Sequence, residues 1–188
     1  MNASYRLAIA LALGVASLNT TAFTAFADDR TSPGAPIEVA EVTGQAPNFK
    51  GINNWLNSAP LNISDLRGKV VMVNFWTYGC YNCVNTLPHV TKLHEKYKDK
   101  GLVIVGVHTP EFPFEKSLSN VQAALKRHGI QYPVAQDNES ATWEAYRNRY
   151  WPAQYIVDQS GKIVYVHAGE GAYDEIERTI QNLLKVSS

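Results

Sequence analysis

The sequence feature that most constrains the fold is an almost uninterrupted apolar run at residues 69–76, Lys-Val-Val-Met-Val-Asn-Phe-Trp. A run so rich in β-branched residues is typical of a strand buried on both faces, which parallel sheets covered by helices require. A second run of the same character occupies residues 102–107. Because a helical pattern separates the two runs, they are expected to lie parallel in one sheet.

The rest of the chain continues this alternation of strands and helices. The predicted helices span residues 84–97, with Pro88 as an interruption, 114–128, 140–147 and 173–186. A short strand is predicted at 132–135 and a hairpin at 153–157 and 163–167. The expected fold class is therefore α/β: a mixed sheet, parallel at its centre and antiparallel at the hairpin, with helices on both faces.

The N-terminus has the pattern of a secretory signal peptide. Arg6 precedes an apolar run at residues 7–18, and small residues lead to Ala-Phe-Ala at 25–27, which fits cleavage after Ala27. The run is shorter than the roughly 18 apolar residues that a membrane span needs. We therefore predict a signal peptide at residues 1–27, a linker or N-terminal arm at 28–46, and one exported domain at 47–188. The alternative is an uncleaved segment that anchors the protein in the membrane.

Charge and cysteine content narrow the function. Seventeen Lys and Arg residues balance seventeen Asp and Glu residues, so nothing indicates binding to nucleic acid or to an anionic membrane. The chain has two cysteines, too few for an exported scaffold held by disulfides. Both lie in the segment Cys80-Tyr-Asn-Cys83, so the pair calls for a chemical explanation.

The position of the cysteines favours thiol chemistry. Cys80 is expected at the first turn of the helix that follows the first strand, where free N–H groups and the helix dipole stabilise a thiolate. Helices that begin with Cys-x-x-Cys lower thiol pKa values from about 8.5 to roughly 3.5–7.5. We expect Cys80 to be nucleophilic at neutral pH and Cys83, one turn later and facing inward, to close a disulfide with it.

Two structural uses of the pair fit poorly, and one chemical alternative stays open. A disulfide across so short a loop removes little entropy from the unfolded chain. A zinc site needs four ligands, and His89 is expected on the opposite side of the helix from Cys80. Two thiolates with one or two histidines could hold Cu(I), so a Cu(I)-binding chaperone is the alternative function.

Motifs along the whole domain carry a family resemblance. Trp76-x-x-x-Cys80-x-x-Cys83 follows the buried strand, and Trp151-Pro152 precedes the hairpin. Three further stretches read Leu-Arg-Gly-Lys-Val-Val-Met-Val-Asn-Phe-Trp-Thr (66–77), His-Thr-Pro-Glu-Phe (108–112) and Gly-Glu-Gly (169–171). Together they resemble the thioredoxin superfamily, above all its exported TlpA-like branch and the redoxin domains fused C-terminally to DipZ-type membrane reductases. The resemblance implies a thioredoxin-like fold with the TlpA-like inserted helix and strand between residues 114 and 135.

The same resemblance implies an activity. Cys80 would attack, Cys83 would resolve, and Pro152 would be a cis-proline that faces the disulfide; the alternative is an ordinary trans proline that opens an edge strand. The implied function is a periplasmic thiol–disulfide oxidoreductase that acts on protein thiols or disulfides, as a reductant rather than an oxidant. It would need no cofactor or metal, and a membrane thiol donor would restore its dithiol.

Two positions depart from the thioredoxin pattern. Tyr81-Asn82 stands where thioredoxin has Gly-Pro, and Asn74 stands where it has a buried aspartate that takes the proton of the resolving cysteine. Because an amide cannot act as that base, we expect Glu111, just after the strand at 102–107, to be the acid/base or electrostatic partner. The alternative is a solvated loop carboxylate. His108 is interpreted as a residue at the end of its strand.

The second hairpin strand returns the chain to the edge that carries the cysteines. Gly169 and Glu170 are therefore expected to line a substrate groove with Asn82, although a simple turn into the last helix would also use the glycines. An apolar rim is expected from Trp76, Tyr78, Tyr81 and Trp151.

Overall fold

The computed structural model describes residues 44–186, so the predicted signal peptide and residues 28–43 of the predicted linker lie outside the described residues. The strands are β1 (Asn54–Leu56), β2 (Val70–Trp76), β3 (Leu102–His108), β4 (Val134–Gln136), β5 (Ala153–Val157) and β6 (Ile163–Ala168). The helices are α1 (Tyr81–Tyr97), α2 (Leu118–His128), α3 (Ala141–Ala145) and α4 (Tyr173–Leu184). No helix in this part of the chain is both long and apolar enough to cross a membrane.

The strands form one mixed sheet in the order β1-β4-β3-β2-β5-β6. β2 runs parallel to β3, and β3 runs parallel to β4, as the two apolar runs predicted. β5 and β6 form the predicted antiparallel hairpin beside β2. In the register of the sheet Trp76 pairs with His108 and Phe75 pairs with Ala153, so the ends of β2 and β3 meet the start of β5 at one edge. The predicted α/β class with a mixed sheet is confirmed.

Two apolar layers hold the sheet, and the seven residues of β2 are all buried. Met72 and Trp76 face one layer, where α1, α2 and α4 pack against the sheet. Val71 and Phe75 face the other layer, which is covered by α3 and the segment that precedes β2. Strand residues alternate between the two faces of a sheet, so a strand with both faces apolar belongs between two layers. The helical cover is thus heavier on one face than on the other.

Several predicted boundaries are wrong. The helix predicted at 114–128 is a 3₁₀ turn, Pro113–Lys116, followed by α2, because the backbone at Ser117 is extended (φ −69°, ψ 119°). α1 begins at Tyr81, three residues earlier than predicted, with Cys80 as its N-cap. Contacts with the sheet reach residues before the predicted start at 47, since Gln45 bridges to Lys162 and Ala46 is buried.

Other elements are shifted or were not predicted. The strand predicted at 132–135 lies at Val134–Gln136, and the helix predicted at 140–147 is α3. β1 was not predicted, because it has three residues and no alternating pattern. It exists through its antiparallel pairing with β4, a contact between segments far apart in the sequence.

Candidate active site

The cysteines lie at the sheet edge where β2 and β3 end. The side chain of Cys80 is partly buried and caps α1, because its Sγ accepts a hydrogen bond from the backbone N–H of Cys83 at 3.3 Å. A sulfur in this position faces the unpaired N–H groups and the positive end of the helix dipole. Both thiols are free in the structure. The predicted placement of Cys80 at the start of the helix is therefore what the structure shows.

Cys83 is a buried thiol, with 1% of its surface exposed. Burial raises the pKa of Cys83 well above its usual range; the hydrogen bond to Cys80 and the charge of Glu115 act in the same direction. A hydrogen bond from the Thr77 backbone opposes them. Because desolvation disfavours the thiolate, Cys83 can react only if a nearby group receives its proton.

The carboxylate beside the thiols is Glu115. It has no exposed surface, and its Oε1 accepts a hydrogen bond of 2.9 Å from the N–H of Gly79, the residue before Cys80. Its Oε2 accepts hydrogen bonds from the backbone N–H groups of Glu111 (2.7 Å) and Phe112 (2.9 Å). This buried group lies close enough to Cys83 to influence the pKa of the thiol.

Glu111, the expected acid/base or electrostatic partner, is exposed, which agrees with the alternative of a solvated loop carboxylate. It contributes its backbone N–H to the Glu115 carboxylate. The reason is local: the chain turns through Pro113–Lys116, which directs the side chain of Glu115 inward. The sequence contained both carboxylates within five residues. The Pro-Phe pair between them, which breaks a regular helix, was the signal that the second one takes a different direction.

His108 ends β3 and is completely buried. Its Nε2 lies 3.3 Å from Thr77 Oγ1, and its ring stacks on Tyr78 with 5.5 Å between centroids. Burial lowers the pKa of His108 to about 4, although the charge of Glu115 acts in the opposite direction. His108 is therefore uncharged at neutral pH, and it packs against Thr77 and Tyr78 in the segment that leads to Cys80.

The Trp151–Pro152 segment reaches the same edge from the hairpin side. The Trp151–Pro152 peptide bond is cis, Pro152 is buried, and its carbonyl accepts a hydrogen bond of 2.8 Å from the N–H of Gly169. The indole Nε1 of Trp151 donates to the carbonyl of Thr109 at 3.0 Å. Cys80 and Trp151 both pack against the same apolar layer, and the segment leads into β5 at the edge where β2 ends.

A groove opens beside Asn82, with a volume of about 850 Å³. The residues from His167 to Tyr173, including Gly169 and Glu170, form its other wall. The carboxylate of Glu170 is exposed and accepts a hydrogen bond of 3.1 Å from Asn85 Nδ2. Gly169 has a φ of 93°, a left-handed conformation that glycine adopts without strain.

The apolar rim differs from the prediction in one residue. Tyr81 is 77% exposed and Tyr78 and Trp151 are partly exposed, but Trp76 has no exposed surface and packs into the core. Alternation along β2 places Trp76 on the same face as Met72, a signal that the sequence analysis did not use. Two phenylalanines that were not predicted extend the rim instead: Phe112 and Phe114 are about half exposed, and their rings are stacked 5.6 Å apart.

Two further candidates can be placed. Asn74 is buried in β2, and its Oδ1 accepts a hydrogen bond of 3.2 Å from Gln154 Nε2, so it links two strands.

Within residues 44–186, no three His, Cys, Asp or Glu side chains cluster as metal ligands would. His108, the histidine that could complete a Cu(I) site, has its Nε2 beside Thr77.

Comparison with known proteins places the chain in a family. The model of the AhpC/TSA family matches residues 42–166. Protein DipZ of Mycobacterium bovis is 48% identical over 147 residues, which are 77% of this chain but 21% of DipZ; the chain thus spans about a fifth of that relative's length. The thiol-disulfide oxidoreductase YkuV of Bacillus subtilis is 27% identical, with 73% of this chain and 93% of YkuV covered. A thiol-disulfide isomerase from Corynebacterium glutamicum has a similar structure, with a TM-score of 0.66 and 26% identity over 76% of this chain and 98% of that chain.

Proposed function

The chain belongs to the AhpC/TSA family, among the thioredoxin-like thiol–disulfide oxidoreductases, and we propose that it exchanges disulfides through Cys80 and Cys83. The observation that supports this most directly is the contact between the two cysteines: Sγ of Cys80 caps α1 and accepts the N–H of Cys83, whose own thiol is buried below. An accessible thiol at a helix N-terminus with a second thiol one turn away suits a nucleophile and its resolving partner.

In the reducing direction the Cys80 thiolate attacks one sulfur of a substrate disulfide. The substrate S–S bond breaks, the attacked sulfur forms a disulfide with Cys80, and the other substrate sulfur leaves as a thiolate. The Cys83 thiol then passes its proton to the Glu115 carboxylate and attacks Cys80 Sγ, which releases the second substrate thiolate. The product is a Cys80–Cys83 disulfide, and the substrate has gained the two electrons. A membrane thiol donor returns two electrons to restore the dithiol.

The proposed substrate is a polypeptide. The groove between Asn82 and the loop of Gly169 and Glu170 has a volume of about 850 Å³, which leaves room for part of an extended chain. The resemblance to the thioredoxin superfamily implies that such a chain pairs with the backbone around Trp151 and Pro152, as strands added to an exposed edge do. Exposed aromatic side chains such as Tyr81 supply apolar contacts around Cys80.

We place this activity in the periplasm and in the reducing direction. The signal peptide pattern before residue 28 supports export, and an uncleaved segment would keep the domain at the membrane. The resemblance to TlpA-like and DipZ-type domains supports a reductant.

Trapping tests the proposal. In a Cys83→Ser variant the Cys80–substrate disulfide has no resolving thiol, so covalent complexes should accumulate with disulfide-bonded polypeptides and dissolve under dithiothreitol. A Cys80→Ser variant is the matched control and should form none. Exchange that persists in Cys80→Ser, or no trapped complex with reduced Cys83→Ser, would overturn the proposal.

A further inference from the structure

Asp137 is a buried carboxylate to which the mechanism above assigns no role. It follows β4 directly, has no exposed surface, and within residues 44–186 no Lys, Arg or His forms an ion pair with it. Burying a charged group without a counter-ion is costly unless hydrogen bonds satisfy it. The arrangement of those bonds therefore indicates what the carboxylate does for the fold.

Three hydrogen bonds satisfy Asp137, and they reach two separate segments. Its Oδ1 accepts the N–H of Thr142 at 3.1 Å, and its Oδ2 accepts the N–H of Trp143 at 2.9 Å, so the carboxylate holds the start of α3. Oδ2 also accepts the hydroxyl of Thr109 at 3.2 Å, and Thr109 is the first residue after β3.

Both segments converge on one indole. The ring of Trp143 packs on the ring of Trp151 with 4.1 Å between centroids, and the carbonyl of Thr109 accepts the Trp151 Nε1–H at 3.0 Å. Asp137 therefore binds both residues that hold Trp151: Trp143 packs on the face of its ring, and Thr109 accepts a hydrogen bond from its indole nitrogen. Stabilising the five-residue helix α3 alone would not require the bond to Thr109.

We propose that Asp137 is a positioning residue for the Trp151–Pro152 segment, which it orients beside Cys80 through Thr109 and Trp143. This inference rests on the proposed function, because the segment is where the substrate chain would pair. Without the carboxylate, the two supports of Trp151 can shift independently, and the segment loses its defined orientation. The consequence falls on substrate docking and not on the reactivity of the thiol.

The first test compares Asp137→Ala with Asp158→Ala. Asp158 is a matched control because its Oδ1 also accepts three hydrogen bonds, from the backbone N–H groups of Ser160 and Lys162 and from the Ser160 hydroxyl, but at the opposite end of the sheet. For a polypeptide disulfide, Asp137→Ala should lower kcat/KM about tenfold, mainly through KM, as expected for a misplaced docking segment. The rate at which iodoacetamide alkylates Cys80 should not change. Asp158→Ala should leave both quantities unchanged.

The second test reads the indole pair directly and does not depend on activity. Close indole pairs give a strong near-ultraviolet circular dichroism signal, and a Trp143→Leu variant defines the spectrum without the pair. Asp137→Ala should resemble Trp143→Leu, whereas Asp137→Asn, whose amide keeps one acceptor oxygen, should be intermediate. In the Trp143→Leu background, Asp137→Ala should add less to the loss of kcat/KM than it does alone, because the two residues act on the same ring.

Two results with Asp137→Ala would show that Asp137 does not position Trp151. A native spectrum with unchanged KM in folded Asp137→Ala contradicts the inference, and so does an equal loss of Cys80 alkylation. If Asp137→Ala does not fold, Thr109→Val decides, because it removes one bond of the carboxylate and should raise KM with the Cys80 rate unchanged. If the wild-type protein lacks exchange that depends on Cys80, the proposed function fails, whereas the spectra still test the positioning of Trp151.

Discussion

The Oε1 of Glu115 accepts a hydrogen bond of 2.9 Å from the backbone N–H of Gly79, the residue immediately before Cys80. This bond joins the inserted segment after β3 to the loop that carries the reactive thiol. The carboxylate lies close enough to Cys83 to influence the pKa of that thiol, and in the proposed mechanism it receives the Cys83 proton. In thioredoxin the resemblance assigns that task to an aspartate within the strand, at the position that Asn74 occupies in this chain.

Replacing Glu115 by Gln should slow resolution. The amide retains the shape of the side chain but cannot take the Cys83 proton, so we expect turnover to fall about 10²-fold, the lower range for loss of a general base. The single-turnover rate of mixed-disulfide decay at pH 7 measures it. Glu111→Gln is the matched control, since Glu111 is exposed, and should behave as the wild type. Equal rates in the two variants would remove Glu115 from the mechanism.

Gly79→Ala should act through the same carboxylate. A Cβ at Gly79 would overlap Oε1 of Glu115 and lie 3.3 Å from its Cδ, so the carboxylate must leave its position beside Gly79. We expect slower mixed-disulfide decay in Gly79→Ala. In a Glu115→Ala background the obstacle is gone, and Gly79→Ala should then have little further effect. Full additivity of the two substitutions in this cycle would contradict the steric explanation.

His108 should make the protein less stable in acid. Burial lowers the pKa of His108 from 6.5 to about 4. Between these values the unfolded chain binds a proton that the folded chain does not, so the free energy of unfolding falls as the pH falls from 6.5 towards 4. We expect wild-type protein to lose about 2 kcal/mol more than His108→Gln between pH 7 and pH 4.5, as urea unfolding would measure. The same loss in both proteins would show that His108 can be protonated while the protein is folded.

Tyr97→Phe should destabilise the contact between α1 and α4. The Tyr97 hydroxyl donates to Glu177 at 2.6 Å and accepts from the buried Gln181 at 2.8 Å, so its removal should cost about 1–2 kcal/mol in the free energy of unfolding. Lys96→Met is the comparison, because Lys96 pairs with the same carboxylate from a 40% exposed position, where solvent weakens the ion pair, and the substitution should destabilise the protein less than Tyr97→Phe does. Urea unfolding at pH 7 ranks the two, and the reverse order would show that the surface ion pair dominates.

The elements that could be predicted are those that a pattern of neighbouring residues in the sequence determines. β2 and β3 follow from long apolar runs, and the position of Cys80 follows from its place directly after β2. Glu115 was harder to identify: Pro113 signals that a regular helix breaks there, but the direction of the Glu115 side chain depends on how the backbone turns after residue 110. The role inferred for Asp137 was inaccessible, since it emerges only when Thr109, 28 residues earlier in the chain, is brought against it.

The wrong prediction for Trp76 had a different cause. An aromatic side chain close to the cysteines suggested a place in the apolar rim. Trp76 is, however, the last residue of a strand that is covered on both faces, so its side chain is buried in the core. The short strand β1 depends on a partner, β4, that lies far away in the sequence. Local patterns carry no information about such pairings.

The described chain enters the domain at the end of the sheet away from the thiols: Gln45 bridges to Lys162 beside the hairpin turn, whereas Cys80 follows the opposite ends of the strands. A support attached ahead of Gly44 therefore lies at the opposite end of the sheet from Cys80, and the surface around Cys80 faces away from the support. An affinity tag, a carrier bead or an electrode linked there would leave that surface open to large reactants, so turnover by the immobilised protein should match turnover in solution.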